Sequence, residues 1–209
     1  MLHLFSILLT LKQVYAEEPL SSSLVGFQEL KKIEVFDGEL NVPRDLKKIE
    51  ALSQTASSEQ NKYPLSNLVD GKDNTAWVEA EEGSGVNTSL TFQFPLGENQ
   101  PDVIKIVPGY LKSESLWFAN QRVSKIRIRF LKGDEEKREV IEETIVVLQK
   151  ENGSIPPKAQ YIQLHPLYLQ HMGFLDFQYL EITLLEIDEQ GAKYQDTCIS
   201  EIAFYKQVF

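Results

Sequence analysis

Strict two-residue alternation is the feature that most constrains this chain. In Ser89-Leu90-Thr91-Phe92-Gln93-Phe94 the apolar residues Leu90, Phe92 and Phe94 fall on one face of an extended segment. Ile126-Arg127-Ile128-Arg129-Phe130 repeats the pattern, with two arginines outward and three apolar residues inward. A helix would scatter these residues around its axis, whereas a strand sorts them into a wet face and a dry one. Further strand-like runs lie at 103–107, 144–148, 161–164, 179–187 and 199–205. Turn clusters separate them: Asp70-Gly71-Lys72-Asp73, Glu82-Gly83-Ser84-Gly85, Lys132-Gly133-Asp134-Glu135, Glu151-Asn152-Gly153 and Glu189-Gln190-Gly191. Many short strands, regular turns and little helix predict an all-β protein, an antiparallel jelly-roll β-sandwich.

Residues 43–52 break the alternation, since Leu46, Ile49 and Leu52 sit at helical spacing and predict a short amphipathic helix. Residues 17–53 therefore read as an N-terminal extension and 54–209 as the sandwich domain. Ahead of both, Met1-Leu2-His3-Leu4-Phe5-Ser6-Ile7-Leu8-Leu9-Thr10-Leu11 is apolar but shorter than the about 20 residues a membrane span needs. Val14-Tyr15-Ala16 follows, with residues of the size a signal peptidase inspects, so 1–16 reads as a signal peptide. No later stretch approaches a span. The mature protein is expected to be secreted, or held in the periplasm or cell envelope.

The 209 residues carry 31 Asp and Glu against 21 Lys and Arg, a net charge of -10. Nucleic-acid binding rests on clustered basic residues, and so does attraction to anionic membranes, so both are disfavoured. The lone Cys198 excludes an internal disulfide and any cysteine-rich zinc motif; its place in the closing strand-like run predicts a buried, inert thiol. The acidic stretch from Asp134 to Glu143 reads as the solvated rim of a hairpin.

Thr55-Ala56-Ser57-Ser58, then Asn67-Leu68-Val69-Asp70-Gly71-Lys72-Asp73-Asn74-Thr75-Ala76-Trp77, and finally Asp196-Thr197-Cys198-Ile199-Ser200-Glu201-Ile202 resemble the opening strand, D-G-D-x-x-T-x-W loop and closing strand of discoidin-like domains. These are the coagulation-factor type C, or galactose-binding-like, jelly rolls. Trp77-Val78-Glu79, Gly83-Ser84-Gly85, Gly109-Tyr110, Lys112-Ser113 and Asn120-Gln121-Arg122-Val123 narrow the likeness to a bacterial branch. That branch is similar to the translocation, or glycan-binding, domain of streptococcal NAD glycohydrolase. Pro108 departs from the N-G-Y form of the branch, and Lys72 stands where members often carry Asp.

The resemblance implies two candidate sites. Asp70, Asp73 and Thr75 offer oxygens on a tight turn, and the family brings a ligand back on the closing strand at Glu201. Calcium takes about six to eight oxygens and accepts hydroxyls and carbonyls beside carboxylates, so a structural calcium site is expected there. The competing reading is an Asx-turn loop without metal, with Glu201 bonded to loop amides. The second site mixes aromatic faces with planar polar groups in a loop-like stretch, as sugar recognition requires. Tyr110, Lys112, Trp117, Asn120 and Arg122 are its candidates, with Glu79 as an acceptor. Against this stands a structural role in which Trp117 and Phe118 cap the sandwich and Arg122 pairs with an acidic neighbour.

Catalytic machinery is thin. His165 and His171 lack metal spacing, and neighbours such as Glu142-Glu143 or Glu81-Glu82 point to opposite faces of an extended chain. The sequence therefore predicts a non-enzymatic module recognising a glycan or glycoprotein, or alternatively a protein-interaction module that docks a partner through the sandwich face and the N-terminal extension.

Overall fold

The computed structural model describes residues 35–37, 46–56, 62–97, 100–148, 159–164 and 176–207. The expected signal peptide, His165 and His171 lie outside the described residues. The strands are β1 (Val35–Asp37), β2 (Leu46–Ile49), β3 (Ser53–Thr55), β4 (Trp77–Val78), β5 (Ser89–Gln93), β6 (Val103–Pro108), β7 (Gln121–Gly133), β8 (Arg138–Val147), β9 (Gln160–Gln163), β10 (Tyr179–Asp188) and β11 (Thr197–Gln207). A single six-residue α-helix, α1 (Glu114–Ala119), joins β6 to β7 among the described residues.

Hydrogen bonds run through the strands in the order β1-β9-β6-β11-β7-β10-β5-β3, with β8 on the other edge of β7 and β2 and β4 along β11. The strand pairs are antiparallel except that Thr197 and Cys198 of β11 lie parallel to Gln121 and Arg122 of β7, next to a single parallel bridge between Ile199 and Gly109. That two-residue contact joins two halves that fold over one another. Phe204 of β11 meets Phe92 of β5 edge to face at 4.8 Å and Phe94 at 5.0 Å. Between the halves lies the core predicted from alternation: Leu90 and Phe92, Ile104 and Ile106, Ile126, Ile128 and Phe130, Leu180 and Ile182, Ile202 and Phe204 are all buried. The all-β jelly-roll reading of the sequence is the fold observed.

The expected helix at 43–52 is instead β2, paired with the far end of β11 from Leu46↔Gln207 to Ile49↔Phe204. The spacing of three explains the correction. On a helix Leu46 and Ile49 share a face; on a strand they point to opposite faces. Here Ile49 packs on the central core and Leu46 on a second cluster of Val103, Val107, Ala159 and Tyr161. Residues 35–37 and 46–49, within the stretch expected to be an extension, thus pair into the sheet. The hairpin between β7 and β8 follows expectation, with Asp134 Oδ1 accepting from the amides of Glu136 at 3.1 Å and Lys137 at 2.8 Å.

Candidate functional site

The loop at 70–75 lies across the outer face of β11, β6 and β2. Register explains how: Glu201, Ala203 and Tyr205 of β11 stand opposite Val107, Lys105 and Val103 of β6, and Lys48 of β2 stands opposite Tyr205. Directly opposed residues share a face, so Glu201, Lys105, Tyr205 and Lys48 all point away from the core that holds Ile202 and Phe204. The loop closes over them. Glu201 Oε2 accepts from the Gly71 amide at 3.0 Å, and Lys105 Nζ donates to Asp73 Oδ1 at 3.0 Å. Within the loop, Asp70 Oδ1 accepts from the Lys72 amide at 2.9 Å. The Thr75 hydroxyl lies 3.0 Å from each Asp70 carboxylate oxygen and 2.8 Å from the Lys72 carbonyl.

Glu201 is 1% exposed, and its Oε1 has no hydrogen-bond partner. Burial pushes its carboxyl up to about 7, against the pull of the Gly71 amide and the charges of Lys48 and Lys105. Held like this, the four residues do not fit a calcium ion. Asp73 is turned onto Lys105, Thr75 and Asp70 satisfy each other, and no group of three or more His, Cys, Asp or Glu among the described residues is placed to hold a metal. The buried Glu201 carboxylate faces two ammonium groups already. The arrangement has the geometry of the Asx-turn loop, the second of the two readings the sequence left open.

The other candidate set gathers around Gly109, which ends β6 at φ +85. Its amide donates to the Cys198 carbonyl at 2.9 Å, and its carbonyl accepts from Ser200 Oγ at 3.0 Å. Trp117 of α1 sits against this glycine, 5% exposed, its Nε1 donating to the Pro108 carbonyl at 3.0 Å. Ser113 caps α1 through its hydroxyl, which accepts from the Leu116 amide. Arg122 lies over the Trp117 ring at 4.2 Å and spends its donors inside the fold: Nη1 on the Trp117 carbonyl, Nη2 on Asp188 Oδ2 and the Gln190 carbonyl, each at 3.0 Å. Asn120 is buried and donates to the Leu116 carbonyl at 2.7 Å. Trp117 and Arg122 are thus placed as in the structural alternative, Arg122 on the acidic Asp188, and Asn120 is buried beside them.

Glu79 is buried too. It folds onto Gly85, and its Oε2 accepts from the Glu81 amide at 2.6 Å; burial raises its carboxyl above the usual range, against that bond. What stays accessible is Tyr110, half-buried, and Lys112, exposed. Tyr110 meets Tyr63 edge to face at 5.8 Å, and both rest on a small cluster of Ala76, Val78 and Cys198. The backbone under Tyr110 is fixed, because the Leu111 amide donates to Ser200 Oγ at 2.9 Å. Tyr63 was not among the sequence candidates; only the fold brings it beside Tyr110, 47 positions away by the numbering. Cys198 is buried as expected, and burial followed by the charges of Asp196 and Glu79 pushes its thiol up to about 12.

Residues 42–205 match the family model described as the NAD glycohydrolase translocation F5/8 type C domain. Among solved structures, the F5/8 type C domain of a Bacteroides fragilis protein is similar at 15% identity, covering 79% of this chain and 100% of that one with a TM-score of 0.51. The C-terminal domain of a chitobiase from the same organism gives 14% identity, 79% and 97% coverage and a TM-score of 0.40. A Ruminococcus gnavus fucosidase in complex with fucose gives 15% identity and a TM-score of 0.38, over 75% of this chain but only 25% of its own. No curated protein matches the sequence.

Proposed function

The chain belongs to the NAD glycohydrolase translocation F5/8 type C domain family, and from that membership we propose that it is an exported, non-enzymatic binding module that holds a glycan or glycoconjugate on the loops around Tyr110. The observation that carries this reading is the half-exposed Tyr63–Tyr110 pair beside the exposed Lys112. A tyrosine face stacks on the C–H face of a sugar ring, while its hydroxyl and a neighbouring ammonium reach the ring hydroxyls. The buried Trp117 and Arg122 serve this surface by packing against Gly109, and Trp117 bonds the Pro108 carbonyl, which steadies the chain that leads into Tyr110. Loops on a rigid sandwich are suited to recognition because the scaffold sets their ends. No calcium enters this reading.

Catalysis is not part of it. The Cys198 thiol is buried and pushed up to about 12, which does not suit a nucleophile at neutral pH. No helix among the described residues is long and apolar enough to cross a membrane. Export rests on the apolar leader and the extracellular type of domain.

A second reading, docking of another protein, is favoured by β8. This strand pairs with β7, and its outer positions Ile145 and Val147 are exposed, together with Val140 and Ile141 nearer the hairpin. A glycan array probed with the full chain separates the two. Binding that is lost in Tyr63→Ala and Tyr110→Ala supports the glycan reading. Absence of binding, or binding indifferent to both substitutions, sinks it.

A further inference from the structure

We propose that the 70–75 loop is braced by an internal ammonium group, Lys105 Nζ, in place of a metal ion, so that the folded protein holds this loop without calcium. The argument starts from β6. Its sequence Val103-Ile104-Lys105-Ile106-Val107 is apolar on both faces except at Lys105. Apolar neighbours accept a lysine when its charged head finds a partner, because a buried cation left alone is costly. Lys105 finds one in Asp73, 3.0 Å away, and its side chain is 17% exposed. The pairing links the loop to β6 on one side of Glu201, while the Gly71 amide links it to β11 at Glu201 itself. Lys48 Nζ, from β2, reaches within 3.8 Å of the position a Gly71 Cβ would take. Two strands thus hold one loop by direct bonds, with Lys48 of a third strand close by, and the positive charge beside Glu201 belongs to side chains.

The loop's own chemistry agrees. Lys72 adds a positive charge to the loop between Asp70 and Asp73 in sequence, where a calcium loop gains from carboxylates. The amide of Lys72 and the hydroxyl of Thr75 are turned onto Asp70, so its carboxylate is engaged within the loop. Lys105 was invisible as a functional residue in the sequence, since only the antiparallel register of β6 and β11 brings it beside Glu201. Burial weakens the charged form of Lys105, but the bond and charge of Asp73 outweigh that loss and raise its proton affinity. The ammonium therefore stays charged wherever the loop carboxylates are.

The test is thermal unfolding of the full mature chain together with hydrogen exchange at Gly71, Lys72 and Thr75. The wild type is expected to show the same Tm, within about 1 °C, in excess EDTA and in millimolar calcium, because nothing that binds only the native state is being removed. Lys105→Met is expected to lower Tm by roughly 3–8 °C, and Lys105→Arg by less than half as much. Asp73→Asn, whose carboxylate is part-exposed and whose loss leaves the core intact, is expected to speed exchange at the three loop amides by about tenfold. EDTA is expected to leave that exchange unchanged in the wild type. A wild-type Tm that climbs with calcium and falls with EDTA overturns the proposal. So does exchange at the loop amides that is the same in Asp73→Asn as in the wild type, whether or not Lys105→Met folds.

Discussion

Gly109→Ala is the substitution that most sharply tests how the Tyr110 surface is supported. The glycine holds φ +85, and a methyl group there would sit 2.7 Å from Trp117 Cδ1 and Nε1 and 2.8 Å from Arg122 Cγ. The left-handed backbone alone costs an alanine about 1–2 kcal/mol. Forcing the indole and the arginine stem aside adds about 1–3 kcal/mol of overpacking. If the indole moves, its bond to the Pro108 carbonyl is lost, for about 1 kcal/mol more. The total is roughly 3–6 kcal/mol, a large share of the about 5–15 kcal/mol that holds a domain folded. Gly83→Ala isolates the backbone part, because Gly83 has φ +102 and no atom within 4 Å of the added carbon. Urea unfolding followed by far-ultraviolet circular dichroism measures both variants, read at unchanged m-value. Gly109→Ala should fall below Gly83→Ala by about 2–4 kcal/mol. Losses that agree within about 0.5 kcal/mol would refute the claim that Trp117 and Arg122 are wedged against this glycine.

Four further outcomes follow from other contacts. Between the ordinary carboxyl value of 4.5 and about 7, folded Glu201 holds a proton that the unfolded chain releases. Stability should therefore rise as pH falls from about 7.5 to 5, by at most about 3 kcal/mol, and Glu201→Gln should flatten the dependence of Tm on pH. Cys198, buried with its thiol pushed up to about 12, should resist Ellman's reagent at neutral pH and react fully in denaturant; fast native labelling would contradict its placement. Arg122→Met removes bonds to three carbonyls and Asp188 from a buried setting and should cost about 2–4 kcal/mol in urea unfolding, far more than Lys112→Met at an exposed position. Val147→Lys on β8, at a position 62% exposed, should leave stability within about 0.5 kcal/mol and raise solubility; a large loss would mean the strand is covered.

The fold was legible because alternation is a local signal. Leu90, Phe92 and Phe94, or Ile126, Ile128 and Phe130, announce their strands without reference to the rest of the chain, and all six are buried. The reading failed at Leu46 and Ile49, where a spacing of three has two solutions and only β11 decides between them. The site was harder to read, for a related reason. Trp117, Asn120 and Arg122 have the chemistry of a sugar site, yet their partners Pro108, Asp188 and Gln190 come from β6 and from the end of β10 and the turn after it. Composition of a stretch does not reveal which way its side chains point. Tyr63 and Lys105 were missed because their importance lies entirely in long-range register: one meets Tyr110, the other Asp73.

The claim at the centre of this account is that ligand lands on the Tyr63–Tyr110 surface. Fluorine NMR of the full mature chain labelled with 3-fluorotyrosine tests it directly, with resonances assigned by single Tyr→Phe substitutions and saccharides from the array titrated in. Tyr63 and Tyr110 should shift together and saturably, while Tyr179, buried under Arg138 with its ring 4.0 Å from the guanidinium, should stay still. Saturable binding that moves other tyrosines and leaves Tyr63 and Tyr110 unmoved would contradict the account.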